Sequence, residues 1–260
     1  MKTVLITGAS SGIGYEFAKI YAKKGYNLVI TARRKNNLDR IKQELESFDT
    51  LICVDIIVLD LSKQNSAKEL YEVVKQRGIL IDTLINNAGF GVYGNFIETD
   101  IEKEIDMIEL NIKSLVVLTK LFLKDMVSRN NGTIINVAST AAFQPGPLMS
   151  VYYASKSFVL SFTEAIRNEV RDTNVNISVL CPGPTDTEFE KSASLEESSL
   201  FTKLKVMKPE KVAIIGYKGI NRNKSVIIPG ILNNILITFN KITPRALVIN
   251  IVRKLQESKK

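Results

Sequence analysis

Seven short runs rich in Val, Ile and Leu, at 3–7, 27–31, 52–58, 82–86, 132–138, 175–181 and 225–228, alternate with longer segments of helical apolar spacing. Those helical segments fall near 13–24, 35–48, 63–77, 101–129, 152–171 and 209–221. A strand that is apolar at nearly every position is buried on both faces, and the intervening helices supply the crossovers that parallel pairing needs. The alternation therefore predicts an α/β fold, a doubly wound parallel sheet of about seven strands with helices on both faces. The chain has 260 residues, 45% of them hydrophobic, with no low-complexity linker and no internal repeat, and one domain spanning 1–260 is expected.

Composition removes several kinds of chemistry. Histidine is absent, which excludes Ser-His-Asp and Cys-His nucleophile systems and every histidine-ligated metal site, so no metal is expected. The two cysteines, Cys53 and Cys181, lie far apart in apolar runs and read as buried thiols. A net charge of +8 could indicate nucleic acid, yet the lysines are spread along the chain rather than gathered with aromatics, so no nucleic-acid partner is expected. The basic exception is the C-terminal segment. Residues 231–260 combine apolar helical spacing with Lys241, Arg245, Arg253, Lys254, Lys259 and Lys260, a pattern suited to peripheral contact with a membrane surface rather than to spanning one. Lys2 leads almost at once into the first strand-like run, without the apolar region of a signal peptide, and a cytoplasmic location is expected.

In a doubly wound sheet, ligands bind beyond the carboxyl ends of the strands, so functional residues should follow strand ends. After the first run comes TGASSGIG, with Gly8, Gly12 and Gly14 in the spacing G-x-x-x-G-x-G. Residues without a Cβ let the backbone turn sharply and approach a ligand, and a helix beginning near Ile13 offers N–H groups and a positive dipole end to a pyrophosphate. The hydroxyls of Ser10 and Ser11 add donors. A P-loop would need Gly-Lys-Ser/Thr where this chain continues Gly12-Ile13-Gly14-Tyr15, so nucleoside triphosphate binding is disfavoured. The second run ends in Arg33 and Arg34 with no carboxylate before Asp39, which favours the 2′-phosphate of NADP(H) over the 2′-hydroxyl of NAD in a Rossmann-type site. Asp60 and Leu61 follow the third run, where Asp60 could accept from the adenine amino group or cap the next helix. Asn86, Ala88 and Gly89 of the NNAG stretch follow the fourth, with small residues that allow close backbone approach.

Ser139 follows the fifth run, and Tyr152 and Lys156 stand four apart in the next helical segment, on one face. A phenol near pKa 10 needs a nearby cation to work as acid or base at neutral pH, and Lys156 supplies one. A carbonyl gaining a hydride develops negative charge on oxygen; Ser139 can donate to that oxygen and Tyr152 can deliver the proton. Helical geometry alone would also allow Tyr153, three residues before Lys156.

As a set, TGASSGIG, NNAG, Asn111, Ser139, the Y-x-x-x-K of Tyr152 and Lys156, and PGPTDT at 182–187 resemble, in order and over nearly the whole chain, the motifs of the short-chain dehydrogenase/reductase family. Residues 138–162 are especially similar to bacterial members with no assigned substrate. The resemblance implies an NADP(H)-dependent oxidoreductase that interconverts a ketone or aldehyde with an alcohol. It selects Tyr152 as the general acid/base, gives Lys156 the roles of lowering its pKa and binding the nicotinamide ribose, and has Ser139 position the substrate oxygen. Asn111 resembles the helix residue that holds a water linking Lys156 to solvent. Pro182 and Gly183 shape a loop in which Thr185 and Thr187 contact the nicotinamide end. Members often pair through helices corresponding to 101–129 and 152–171, so a homo-oligomer, dimer or tetramer, is expected.

Residues 188–207 read as a lid over the substrate, and Phe143, Pro145, Pro147, Leu148, Met149 and Phe189 as an apolar wall suited to a hydrophobic carbonyl compound. The competing reading is a dinucleotide-binding regulator or membrane-surface scaffold without catalysis. The intact Asn111, Ser139, Tyr152 and Lys156 argue against it.

Overall fold

The fold was analysed in a computed structural model, which describes residues 1–189 and 206–257. Seven strands form one sheet in the order β3-β2-β1-β4-β5-β6-β7: β1 Thr3–Thr7, β2 Asn27–Ala32, β3 Val54–Val58, β4 Thr83–Asn86, β5 Gly132–Val137, β6 Val175–Leu180 and β7 Val226–Ile227. Every pairing is parallel. All five residues of β1 are buried, as its central place between β2 and β4 requires. The chain runs outward from β1 through β2 to β3, then crosses back to β4 on the other side. The strand order thus reverses beside β1, and a crevice opens there at the carboxyl ends.

Helices cover both faces. On one lie α1 (Gly12–Ala22), α2 (Lys35–Glu46) and a later helix, α7 (Pro209–Asn221), packed through Phe17, Leu38, Ile41 and Val212. On the other lie α3 (Ser66–Gln76), α5 (Leu115–Ser128) and α6 (Ser150–Glu169), packed through Leu70, Phe122 and Ile166. The spacing of Ala67, Leu70 and Val74 shows why α3 is helical: its apolar side chains return to one stripe, and that stripe is the buried one. Phe17 is fully buried where α1 meets α7, and a Cβ at Gly216 would lie 2.8 Å from its ring. Gly216 is what lets the two helices approach.

Three expectations need correction. The helix expected over 101–129 is interrupted: α4 (Ile101–Ile108) passes through a π-helical turn at Glu109–Ser114 before α5 begins. The wide turn carries Asn111 inward, where its Oδ1 accepts from the Phe90 amide at 3.2 Å and its Nδ2 donates to the Phe90 carbonyl at 2.9 Å. The third strand starts at Val54, so Cys53 is exposed while Cys181 is buried. The helix expected from 63 starts at Ser66, after Asn65 adopts a left-handed conformation. The C-terminal segment folds as two helices, α8 (Ile231–Ile242) and α9 (Arg245–Gln256), joined through Thr243 and Pro244. Of the lid expected over 188–207, residues 190–205 lie outside the described residues.

Candidate active site

A cavity of about 1050 Å³ occupies the crevice beside β1. Its floor is the glycine loop. Gly8 and Gly12 have φ of +66° and +57°, a region that suits glycine. A Cβ on Gly8 would lie 2.8 Å from the Ala88 Cα, and one on Gly14 would lie 2.5 Å from the Gly8 carbonyl oxygen. The loop is pinned to the end of β4 by Asn87, whose Nδ2 donates to the carbonyls of Thr7 and Gly8 at 3.0 and 3.2 Å. Thr7 Oγ1 in return accepts from the amides of Asn87 and Ala88, both at 3.0 Å.

This cradle fits a dinucleotide on the chain's own geometry. No side chain caps α1, its first turn carries no acid, and Gly12 and Ile13 bring its positive end to the cavity wall. Thr31 Oγ1, also on the wall, is buried without a hydrogen-bond partner among the described residues. Arg33, Arg34, Asp60 and Leu61 line the same side. Arg34 pairs with Glu188 at 2.5 Å and donates to Ser10 Oγ at 3.3 Å. Asp60 Oδ1 accepts from the Ser62 amide and hydroxyl at 3.0 and 2.8 Å, so it orders the turn after β3 rather than capping α3.

The opposite end of the cavity holds Ser139, Tyr152 and Lys156. The Lys156 ammonium lies 5.7 Å from the Tyr152 ring centre and donates to the Val137 carbonyl at 3.1 Å. Burial drives Lys156 from the ordinary 10.5 down to about 8. Burial also pushes the Tyr152 phenol up to about 12, against the downward effect of a hydrogen bond with Ser139. Ser139 is itself fixed: its Oγ accepts from the Ala141 amide at 3.1 Å and donates to the Pro182 carbonyl at 3.4 Å. Tyr153 also lines the cavity, with its ring 6.0 Å from that of Tyr152, but it packs over Gly146, where a Cβ would lie 2.2 Å away, whereas the Tyr152 hydroxyl meets Ser139. The geometry therefore separates two tyrosines that helical spacing left equivalent.

Most of the expected site residues converge on this cavity, including Ser10, Ser11, Ala88, Gly89, Pro182, Gly183, Thr185 and Thr187. Three do not form its wall. Gly14 sits behind the loop, where its missing Cβ admits the Gly8 carbonyl. Asn86, the last residue of β4, turns its side chain into the core, where it donates to Thr119 and Asn136 at 3.0 and 2.9 Å. Asn111 acts from behind, donating to Ser155 Oγ at 3.2 Å as well as to Phe90. Of the proposed apolar wall, Met149 and Phe189 line the cavity, whereas Phe143 packs into the core with Val159, and Pro145, Pro147 and Leu148 lie off the wall. Sequence reasoning gave Asn87 no role of its own within NNAG, and it did not place the C-terminal helices α8 and α9 on the cavity, to whose wall they supply Leu236, Ile237, Val248 and Val252. The apolar spacing of 231–256 was the available signal, but it did not say which cavity those helices would cover.

A parallel doubly wound sheet with a glycine cradle at its switch point defines the chain as a Rossmann-type α/β protein. The family model described as short chain dehydrogenase matches residues 2–198, and the chain belongs to that oxidoreductase family. It is 37% identical over 192 residues to 17-beta-hydroxysteroid dehydrogenase type 3 of Mus musculus, covering 72% of this chain and 61% of that protein. It is 33% identical over 236 residues to the NADP-dependent 3-hydroxy acid dehydrogenase of Schizosaccharomyces pombe, covering 87% of this chain and 90% of that one. A short-chain dehydrogenase from Sphingobium yanoikuyae, solved in complex with NADPH, superposes with a TM-score of 0.83 at 28% identity, covering 95% of this chain and 98% of that one.

Proposed function

We propose that this oxidoreductase uses NADP(H) to interconvert a hydrophobic ketone or aldehyde with its alcohol, with Tyr152 as the general acid/base. The observation that carries the reading is the meeting of Ser139, Tyr152 and Lys156 on the wall of the cavity whose other end is the glycine cradle. Bound NADPH would supply the hydride that reduces the carbonyl carbon. The chain's residues manage the oxygen. Ser139 and Tyr152 donate hydrogen bonds to it, which stabilises the charge that develops there. At neutral pH the Tyr152 phenol is protonated, since burial holds it near 12, and it can hand its proton to that oxygen. Lys156, charged below about 8, then stabilises the phenolate left behind. Asn111 holds Ser155 and the Phe90 backbone in place around this group.

Arg33 and Arg34 support the preference for NADP(H), as do the name of the fission-yeast relative and the NADPH in the Sphingobium neighbour. Apolar side chains from α8 and α9 on the substrate side support a hydrophobic compound, and the name of the mouse relative agrees. The test is NADPH and NADH oxidation over carbonyl compounds of graded chain length and ring size. Turnover with NADPH that rises with apolar size supports the reading; equal use of NADH, or preference for small polar carbonyls, overturns the corresponding part of it.

A further inference from the structure

Helices α8 and α9 leave most of their apolar surface uncovered. Among the large apolar residues of α8 only Ile237 is buried, while Ile231, Ile235 and Ile242 are 82%, 58% and 79% exposed, alongside Leu232, Leu236 and Phe239. On α9, Leu247 and Ile251 extend the surface at 52% and 44% exposure. An exposed apolar patch of this extent marks an interaction site. It also reaches the cavity, because Leu236, Phe239 and Ile251 are at once exposed and part of the cavity wall.

Charge selects the occupant. No Asp or Glu occurs between Glu210 and Glu257, a stretch that holds eight lysines and arginines. Lys241 and Arg245 are exposed on either side of Ile242 and the turn that joins the two helices. A second copy of the same face would set these cations against their own kind without a carboxylate between them. An anionic lipid surface accepts both features, with apolar side chains below the headgroups and cations against the phosphates. Among the described residues no helix is long and apolar enough to cross a membrane, so the helices would lie in the interface plane.

We propose that the α8–α9 hairpin docks on an anionic membrane surface and that the apolar substrate passes from the lipid into the cavity by way of Leu236, Phe239 and Ile251. The substrate route rests on the proposed reductase activity; the docking does not.

The test is co-sedimentation of the whole protein with phosphatidylcholine vesicles, with and without phosphatidylglycerol, at low and high salt. Binding should require phosphatidylglycerol and weaken with salt. The double variant Ile235→Asp/Ile242→Asp should bind about tenfold or more weakly, because binding scales with inserted apolar area. Lys241→Glu/Arg245→Glu should lose about 25-fold or more, at roughly fivefold for each cation. None of these four side chains lines the cavity, so both variants should keep the wild-type melting temperature and NADPH affinity. For a ketone dissolved in vesicles they should raise KM, and for a water-soluble ketone they should leave kcat/KM unchanged. Wild-type protein that ignores anionic vesicles overturns the docking. So does a dimer in light scattering that Ile235→Asp/Ile242→Asp splits, which would make a second copy the occupant. Vesicle binding without any carbonyl reduction would leave the docking standing and remove the reductase reading. Equal loss of activity on both ketones would overturn the route from lipid.

Discussion

Lys156 is a buried ammonium whose charge costs the fold stability, and replacing it with methionine should stabilise the protein without cofactor. Lys156 is 6% exposed, its hydrogen bond within the chain goes to the Val137 carbonyl, and no carboxylate enters among the groups that act on its charge. The fall from 10.5 to about 8 corresponds to about 3 kcal/mol of lost stability at neutral pH, at ~1.4 kcal/mol per tenfold change in the protonation equilibrium. Lys156→Met keeps much of the volume, removes the charge and leaves the Val137 carbonyl without its donor, which returns about 1 kcal/mol. The net gain is roughly 2 kcal/mol, or about 5 °C in melting temperature for a chain of this size. The sign with pH is fixed. The folded-state value is depressed, so between about 8 and 10.5 the unfolded chain binds more protons than the folded one, and wild-type stability rises with pH. Thermal melts of both proteins from neutral pH to the alkaline limit should therefore show the variant ahead at pH 7 and the gap closing as pH passes 8 and approaches 10.5. A variant less stable than wild type at pH 7, or a gap that does not change with pH, would refute the reasoning.

The cofactor end yields two further predictions. Arg34→Ala should weaken NADPH binding about 10- to 100-fold, the worth of a charge-assisted phosphate contact, and leave NADH binding within a few-fold; fluorescence titration of both nucleotides reads the difference. Gly8→Ala places a side chain at φ +66° with its Cβ 2.8 Å from the Ala88 backbone, so NADPH affinity should fall about tenfold or more while far-UV circular dichroism stays native.

Much of the fold was legible because its signals are local. Val4, Leu5 and Ile6, or Leu28, Val29 and Ile30, can be apolar without alternation only where both faces of a strand are covered, and that condition specifies a parallel sheet. The strand-end residues Gly8, Arg34, Asp60, Gly89 and Ser139 were legible for the same reason, since the architecture dictates where strand ends gather. What escaped depends on contacts between distant segments. The apolar period of 101–129 runs on through Asn111, and nothing in it marks the π turn that the Phe90 backbone stabilises. Asn86 and Asn87 are neighbours of one type, yet strand alternation sends the first into the core and the second to the glycine loop. Cys53 fell outside its strand by a single position. The apolar wall was sought near Tyr152 in sequence, and α8 and α9, about a hundred residues on, add Leu236, Ile237, Val248 and Val252 to the cavity, a contact that no local pattern reveals.

The central claim is that Tyr152 carries the proton chemistry in a cavity built for the dinucleotide. It is tested most directly by Tyr152→Phe, which removes one oxygen from a side chain 9% exposed and keeps the ring that packs 5.3 Å from Phe189. NADPH affinity should stay within a few-fold of wild type while turnover of the best carbonyl substrate falls about 100-fold or more, the usual worth of a positioned general acid. Unchanged turnover with normal NADPH binding would contradict the account.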